Sequence, residues 1–428
     1  MTPGLAVAEE LRRRYPTDHI LFCGTSRAVE KQMVKSAGFE HRSWPVEPLQ
    51  TIRSNPWKFA KGNLQACRLA SRWMREDRPA AVIGLGGYAM FPGMWAASRA
   101  KIPALILEQN ALPGRACRWC ARFSAGIAFS LEECQDRISV RVPTRVTGNP
   151  VRASIQSWTQ TPALELADQR WNRPPTILVL GGSQGASGLN RAIIAMLAEP
   201  LFTKPREAVR MSIDGPLESQ QAVDDAAAVW RPGSYSPAEW MTRSRWIHQT
   251  GPSGLQEVRA AYARAGLPAR VEPFFPDMSS LYAEATCVIS RAGATTLAEL
   301  ACAALPAILV PYPEAVDDHQ RLNAEAYSRA ETAENSAAGG QVRGGQAAAR
   351  EAAATDADAG SEGIVVPQTA ETAEVGQQLL KALWQTCLSP ERYRARSVAL
   401  RQQARPDAAA AVADWLEELT SAVNPPGK

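Results

Sequence analysis

Two stretches place glycines and hydroxyls where an apolar strand gives way to a helix, TILVLGGSQGASGLN at 176–190 and CVISRAGATTLAEL at 287–300. In the first, Gly181, Gly182 and Gly185 allow a tight turn. The amides there and the Ser183 hydroxyl stand at a positive helix end, which suits a phosphate or diphosphate. In the second, Gly293 leaves room for close approach, and Ala294, Thr295 and Thr296 offer amides and hydroxyls to an oxyanion. Glu299 follows about one turn later, where a carboxylate accepts from paired ribose hydroxyls. Each turn alone also reads as a capped helix without a ligand. Together they favour a nucleoside diphosphate, because two helix N-termini in one domain converge on it. Neither is a dinucleotide fingerprint, and no Walker lysine follows.

Three further stretches carry polar groups out of apolar runs. PYPEAVDDHQRLNAEAY (311–327) supplies Asp317, Asp318, His319, Gln320 and Asn323, a donor and acceptor set that fits a sugar better than a metal. The alternative is a solvated helix start. In LEQNALPG (107–114), Glu108 is a candidate general base and Asn110 a candidate sugar contact, with loop capping as the alternative. Between 53 and 75, Trp57, Phe59, Leu64 and Trp73 alternate with Arg53, Lys58, Lys61, Arg68, Arg72 and Arg75. That pattern suits the surface of an anionic membrane, or else a core helix with a solvated basic face.

These residues need a scaffold, and the chain of 428 residues, 45% apolar and 21% charged, is long enough for two globular domains. No run approaches the roughly 18 to 20 apolar residues that span a bilayer, and no signal core follows Met1. Eight scattered cysteines, among them a lone Cys117-x-x-Cys120 pair, read as reduced thiols with no metal framework. Residues 1–152 hold 23 Lys or Arg against 12 Asp or Glu, a net of +11 that leaves −7 for the rest. A basic front half points to an anionic partner.

Short β-type runs alternate with helical stretches twice over. HILFCG, AAVIGLGG, PALILEQ, GIAFS and TRVTGN come first; TILVLGG, RWIHQTG, RVEPFF, CVISRAG and PAILVPYP follow. The expectation is an α/β protein of two doubly wound parallel sheets, with the boundary near NPVRASIQSW: residues 1–152, residues 153–389, and C-terminal helices over 390–428 packing back across the domains. Residues 331–362, almost without large apolar side chains, read as a flexible insertion, and 203–244 as an elaborated connection.

The motifs PGLAVAEEL, GLGGYAMFPG, LEQNALPG, GNPVR, GGSQGA, HQTG, SRAGATTLAE and DDHQRLNA, in this order, make the sequence resemble the bacterial MurG family of N-acetylglucosaminyltransferases. The resemblance implies a GT-B fold, two Rossmann-like domains facing a cleft. It also implies UDP-N-acetylglucosamine as donor, and inverting transfer to lipid I, a polyprenyl diphosphate-linked acceptor, to give lipid II for peptidoglycan. Members act without a bound metal or cofactor, peripherally on the cytoplasmic face of the membrane, and take no nucleic acid. By motif, the donor contacts are Asn110, Arg152, Ser183, the run Ala294, Thr295, Thr296, Leu297, Ala298 and Glu299, and Gln320, with Asn323 a further sugar contact. Phe275 stands where the family has an aliphatic residue whose backbone meets the uracil. Glu108 is the base candidate. A soluble-acceptor enzyme or sugar-nucleotide epimerase of the same fold, and a truncated binding homologue, are the rivals.

Thr2 reads as an N-cap and Pro3 as the first helical residue, so a helix comes first. The family begins instead with a strand and a G-G-T-G-G-H loop. The expectation is that the first strand of domain 1 is absent here, that it would lie between HILFCG and AAVIGLGG, and that the natural polypeptide starts some twenty residues earlier.

Overall fold

The computed structural model describes residues 1–181, 187–203, 236–313, 318–338, 365–368, 371–386 and 389–423. The chain divides into two compact units, Met1–Gln156 with Arg405 onward, and Ser157–Ala404.

In the first unit, helix α1 (Thr2–Arg14) begins one residue earlier than the sequence suggests, with Met1 as its N-cap and no side-chain cap bond. Arg12, Arg13 and Arg14 occupy its last turn, where cations complement the carbonyl end of the helix. Strands β1 (Leu21–Gly24) and β2 (Glu40–Ser43) pair in parallel, Leu21 opposite Glu40 and Gly24 opposite Ser43. β2 reads EHRS and carries no apolar run, so nothing in its sequence announces a strand. Its pairing with β1 makes it one.

Strands β3 (Val82–Gly84), β4 (Ala104–Glu108), β5 (Gly126–Phe129) and β6 (Thr144–Val146) form a second parallel sheet in chain order. β4 and β5 are buried throughout, which is why ALILE and GIAF are nearly continuous apolar runs. β1 and β3 are not hydrogen-bonded to each other. The two sheets part between HILFCG and AAVIGLGG, where the sequence leads to the expectation of a missing strand. Helix α2 (Pro56–Asp77) lies between β2 and β3 in sequence; Asn55 caps it by accepting the Lys58 N–H at 2.9 Å, and Arg78, with φ of 44°, closes it.

The second unit holds one parallel five-stranded sheet, β11-β10-β7-β8-β9, built from β7 (Thr176–Leu180), β8 (Arg245–Gln249), β9 (Ala269–Glu272), β10 (Cys287–Ser290) and β11 (Ala307–Leu309). The chain starts in the middle, winds to one edge and returns to fill the other, so its direction reverses between β7 and β10. After the long helix that follows β11, Val365 forms a parallel bridge with Leu309.

Helix α3 (Ser187–Leu197) follows β7, α4 (Met278–Glu284) precedes β10, and α5 (Ala294–Ala303) leaves it. Helix α6 (His319–Ala338) extends into the stretch expected to be a flexible insertion, so residues 331–338 are helical. The rest of that stretch, 339–362, lies outside the described residues, as do 204–235 of the elaborated connection. Where that connection resumes, Ser236 and Glu239 form a capping box on a short helix, Pro237–Thr242. Helix α7 (Thr372–Thr386) packs on α3 through Gly376, where a β-carbon would stand 2.8 Å from the Met196 nitrogen.

The C-terminal helices divide between the units. α8 (Pro390–Gln402) belongs to the second: the Tyr393 hydroxyl donates to the Thr286 carbonyl at 2.7 Å, and Arg401 donates to the carbonyls of Trp158, Thr159 and Thr161. α9 (Ala408–Val423) belongs to the first, where Val412 and Trp415 join Val7, Leu105 and Leu107 in one apolar cluster. Gly126 has no side chain because the Trp415 ring occupies the space one would need. Arg14 ties the two helices together, at 2.5 Å from Asp414 and 2.9 Å from Glu417.

Candidate active site

In an open parallel sheet, ligands bind beyond the carboxyl ends of the strands where the winding reverses. Here that place lies between β7 and β10, the two strands that run into GGSQG and SRAGATT. Ser183 and residues 182–186 lie outside the described residues. The β10 side is complete. Gly293 is the N-cap of α5 and brings no side chain, so no side chain caps the amides of the first turn. Ala294, Thr295 and Thr296 are partly exposed there. Leu297 turns inward, which leaves only its backbone for any ligand contact, and Ala298 is partly exposed.

Glu299 lies one turn along and is only 5% exposed. Its Oε2 accepts from the Tyr282 hydroxyl at 2.9 Å, and Tyr282 is completely buried. Tyr282 was missed in the sequence, because an aromatic in the amphipathic stretch MSSLYAE reads as core packing and its partner is 17 residues away.

A set of hydrogen bonds holds the loops around this turn. Arg291 donates from Nη1 to the Val310 and Pro311 carbonyls at 2.9 and 3.2 Å, and burial brings its guanidinium down to about 10, still protonated at neutral pH. The Gln320 side-chain oxygen accepts the Tyr312 N–H at 3.0 Å, which fixes Gln320 at the head of α6. On β8, His248 lies between the Tyr262 hydroxyl and the Asn190 side-chain oxygen, each at 3.2 Å. Burial lowers its pKa to about 3 and keeps the imidazole neutral. Asn190 in turn donates to the Thr250 carbonyl at 3.1 Å and so braces the HQTG turn.

Two of the sequence candidates carry hydrogen bonds within the fold. Asn323 is completely buried and donates to the Ala292 carbonyl at 3.1 Å, so it supports the SRAG turn from beneath. The Phe275 N–H donates to the Gln249 side-chain oxygen at 3.3 Å, so the backbone contact read for uracil retains only the carbonyl. Among the described residues no group of three His, Cys, Asp or Glu side chains could hold a metal ion.

In the first unit, Glu108 is 4% exposed at the end of β4. Its Oε1 accepts both the backbone and the side-chain N–H of Asn110 at 3.2 Å, and its Oε2 accepts the Gly114 N–H at 2.9 Å. The carboxylate thus folds the EQNALPG loop around itself. These three bonds are the loop capping that stood as the alternative to a general base at Glu108. Asn110 is partly exposed on the loop so formed. Arg152, also partly exposed, accepts with its carbonyl from Ile155 and Gln156 at the start of helix Ala153–Gln156. Cys117 and Cys120 are buried in the core below, and burial pushes the Cys120 thiol up to about 11.

The 53–75 stretch divides. Trp73 stacks on Trp44 at 5.7 Å and belongs to the core, while Ala66, Cys67 and Ala70 form the buried stripe of α2. Trp57, 84% exposed, and Leu64 stand in solvent with Leu49 and Ile52, amid exposed Arg53, Lys58, Lys61 and Arg68. No described helix is long and apolar enough to cross a membrane.

Residues 1–129 match the N-terminal domain of glycosyltransferase family 28, and residues 176–338 its C-terminal domain. The chain is 37% identical over 357 residues to the UDP-N-acetylglucosamine--N-acetylmuramyl-(pentapeptide) pyrophosphoryl-undecaprenol N-acetylglucosamine transferase of Pelobacter propionicus, covering 76% of this chain and 80% of that protein. To the enzyme of the same name from Stutzerimonas stutzeri it is 34% identical over 423 residues, 97% of this chain and 94% of the other. Among solved structures, Acinetobacter baumannii MurG superposes with a TM-score of 0.62 at 24% identity over 97% of this chain and 95% of its own. A UDP-GlcNAc 2-epimerase from Neisseria meningitidis gives 0.54 at 12% identity over 97% and 96%. The epimerase likeness concerns the fold alone, which is the GT-B fold. With both domains matched and relatives aligned nearly end to end, the chain belongs to glycosyltransferase family 28 and, within it, to the MurG family of N-acetylglucosamine transferases.

Proposed function

We propose that this chain transfers N-acetylglucosamine from UDP-N-acetylglucosamine to the muramyl 4-hydroxyl of lipid I, with inversion, to give lipid II for peptidoglycan. The observation that carries the donor half is the β7–β10 reversal, where the uncapped first turn of α5 opens beside a buried, hydrogen-bonded Glu299. Departing UDP gains negative charge as the sugar bond breaks. Amides of Ala294 to Thr296 at a helix N-terminus meet that charge without reorganising, and Ser183 of the GGSQG motif is assigned to the same diphosphate. Glu299 accepts from the ribose diol, and Gln320 addresses the sugar. The Phe275 carbonyl serves the uracil.

In the first unit, Asn110, on a loop whose shape Glu108 sets, and Arg152 are assigned to donor recognition by the motifs that hold them. Glu108 acts through Asn110 and does not take the acceptor's proton. A polyprenyl acceptor resides in a membrane, and the exposed Trp57, Leu64, Leu49 and Ile52 with the surrounding lysines and arginines provide a peripheral anchor to an anionic surface. On this reading the enzyme works peripherally at the cytoplasmic face of the membrane.

The test is incorporation of labelled N-acetylglucosamine from its UDP ester into a lipid I analogue, with release of UDP. Product that appears without acceptor, as an epimerised sugar nucleotide, would refute the assignment. For the anchor, the protein should sediment with anionic vesicles and W57A/L64A should not; equal sedimentation of both would exclude that face.

A further inference from the structure

We infer that Tyr282 is a positioning residue for nucleotide recognition, fixing the Glu299 carboxylate in the one orientation that accepts a ribose diol. The inference rests on Glu299 holding the ribose, as proposed above, and adds a residue outside the ligand's reach.

The argument begins with burial. A glutamate on a helix has three side-chain torsions, and in water its carboxylate samples many orientations. Here Glu299 is nearly enclosed, and an enclosed carboxylate needs donors to remain ionised. Tyr282 supplies one from α4, a different element, through an O–H···O bond of 2.9 Å to Oε2. A phenol is rigid, and this ring is sealed on all sides, so the hydroxyl has a fixed position. Its bond therefore sets the plane of the carboxylate before any nucleotide arrives. Two neighbouring hydroxyls of a ribose demand that plane, because both must find lone pairs of one carboxylate at once. Asp277 fixes α4 itself, accepting the N–H of Ser279 and Ser280 at 3.0 and 3.3 Å, so the tyrosine is held at its own helix start as well.

A purely structural tyrosine would influence every ligand of this unit alike. A positioning tyrosine influences only ligands with an intact diol. Titration calorimetry of the full chain with UDP and with 2′-deoxyuridine 5′-diphosphate separates the two, using wild type, Y282F, Y282M, E299A and the double variant Y282F/E299A. Expected is a loss of about ten-fold in UDP affinity for Y282F and Y282M, less than about two-fold for the deoxy nucleotide, and no further loss in the double variant beyond E299A. Donor KM should rise with kcat held. Equal weakening of both nucleotides, or unchanged UDP binding, overturns the role of Tyr282 while E299A still abolishes the preference for ribose. If E299A itself retains that preference, the reading of Glu299 falls instead.

Discussion

Glu108 and Glu299 make an instructive pair. Both are carboxylates at the edge of a parallel sheet, both are about 95% buried, and both were candidates for chemistry from sequence. Their partners differ. Glu108 gathers three N–H donors of its own loop, two of them backbone, whereas Glu299 accepts from a side-chain hydroxyl that another helix supplies. The first arrangement makes a loop; the second makes a receptor. Burial alone does not separate a structural carboxylate from a binding one, while the identity of its donors does.

The contrast breaks most visibly on removing each carboxylate. E108A leaves three donors without an acceptor in a closed site, and should lower unfolding free energy by about 3 to 5 kcal/mol, read from denaturant midpoints. E108Q should also be destabilised, because an amide nitrogen then faces an N–H. A base would behave oppositely, with E108Q stable, kcat collapsed and one limb of the pH–rate profile gone.

E299A should weaken UDP binding by about 30-fold while shifting stability by less than about 1.5 kcal/mol. A large stability loss with intact UDP affinity would place Glu299 alongside Glu108. The brace under the same turn is next: N323A should cost about 1 to 2 kcal/mol and raise donor KM several-fold without altering acceptor KM. A rise confined to acceptor KM would break the link between Asn323 and the SRAG turn.

The smallest effect is one of pH. His248 is neutral in the fold with a pKa of about 3, against 6.5 when unfolded. The unfolded chain therefore binds the extra proton first, so stability falls as pH drops below 6.5 and continues to fall toward 3. Between pH 6.5 and 5.5 the loss should be about 1 kcal/mol in wild type and absent from H248Q, measured by urea midpoints.

Strands buried on both faces were legible in the sequence, since ALILE, GIAF, TILVL and CVIS admit little else. So was the turn after β10, because glycine and hydroxyl residues directly after such a run have few other uses. β2 was not legible, as a polar strand exists only through its neighbour. The division of the C-terminal helices escaped for a related reason: DAAAAVADWLEEL announces a face but not which unit receives it. Tyr282, Asn323 and the donors around Glu108 depend on partners brought together by folding, and a linear pattern cannot distinguish a buried brace from a contact to substrate.

The closure of the first unit by α9 has a consequence for biosynthesis. Trp415 and Val412 leave the ribosome only after the entire second unit has been made, yet they seal the face formed by Val7, Leu105 and Leu107. Until then that apolar face stays open on the nascent chain. The first unit, although translated first, is the last to mature, because the helix that closes it is among the last segments made.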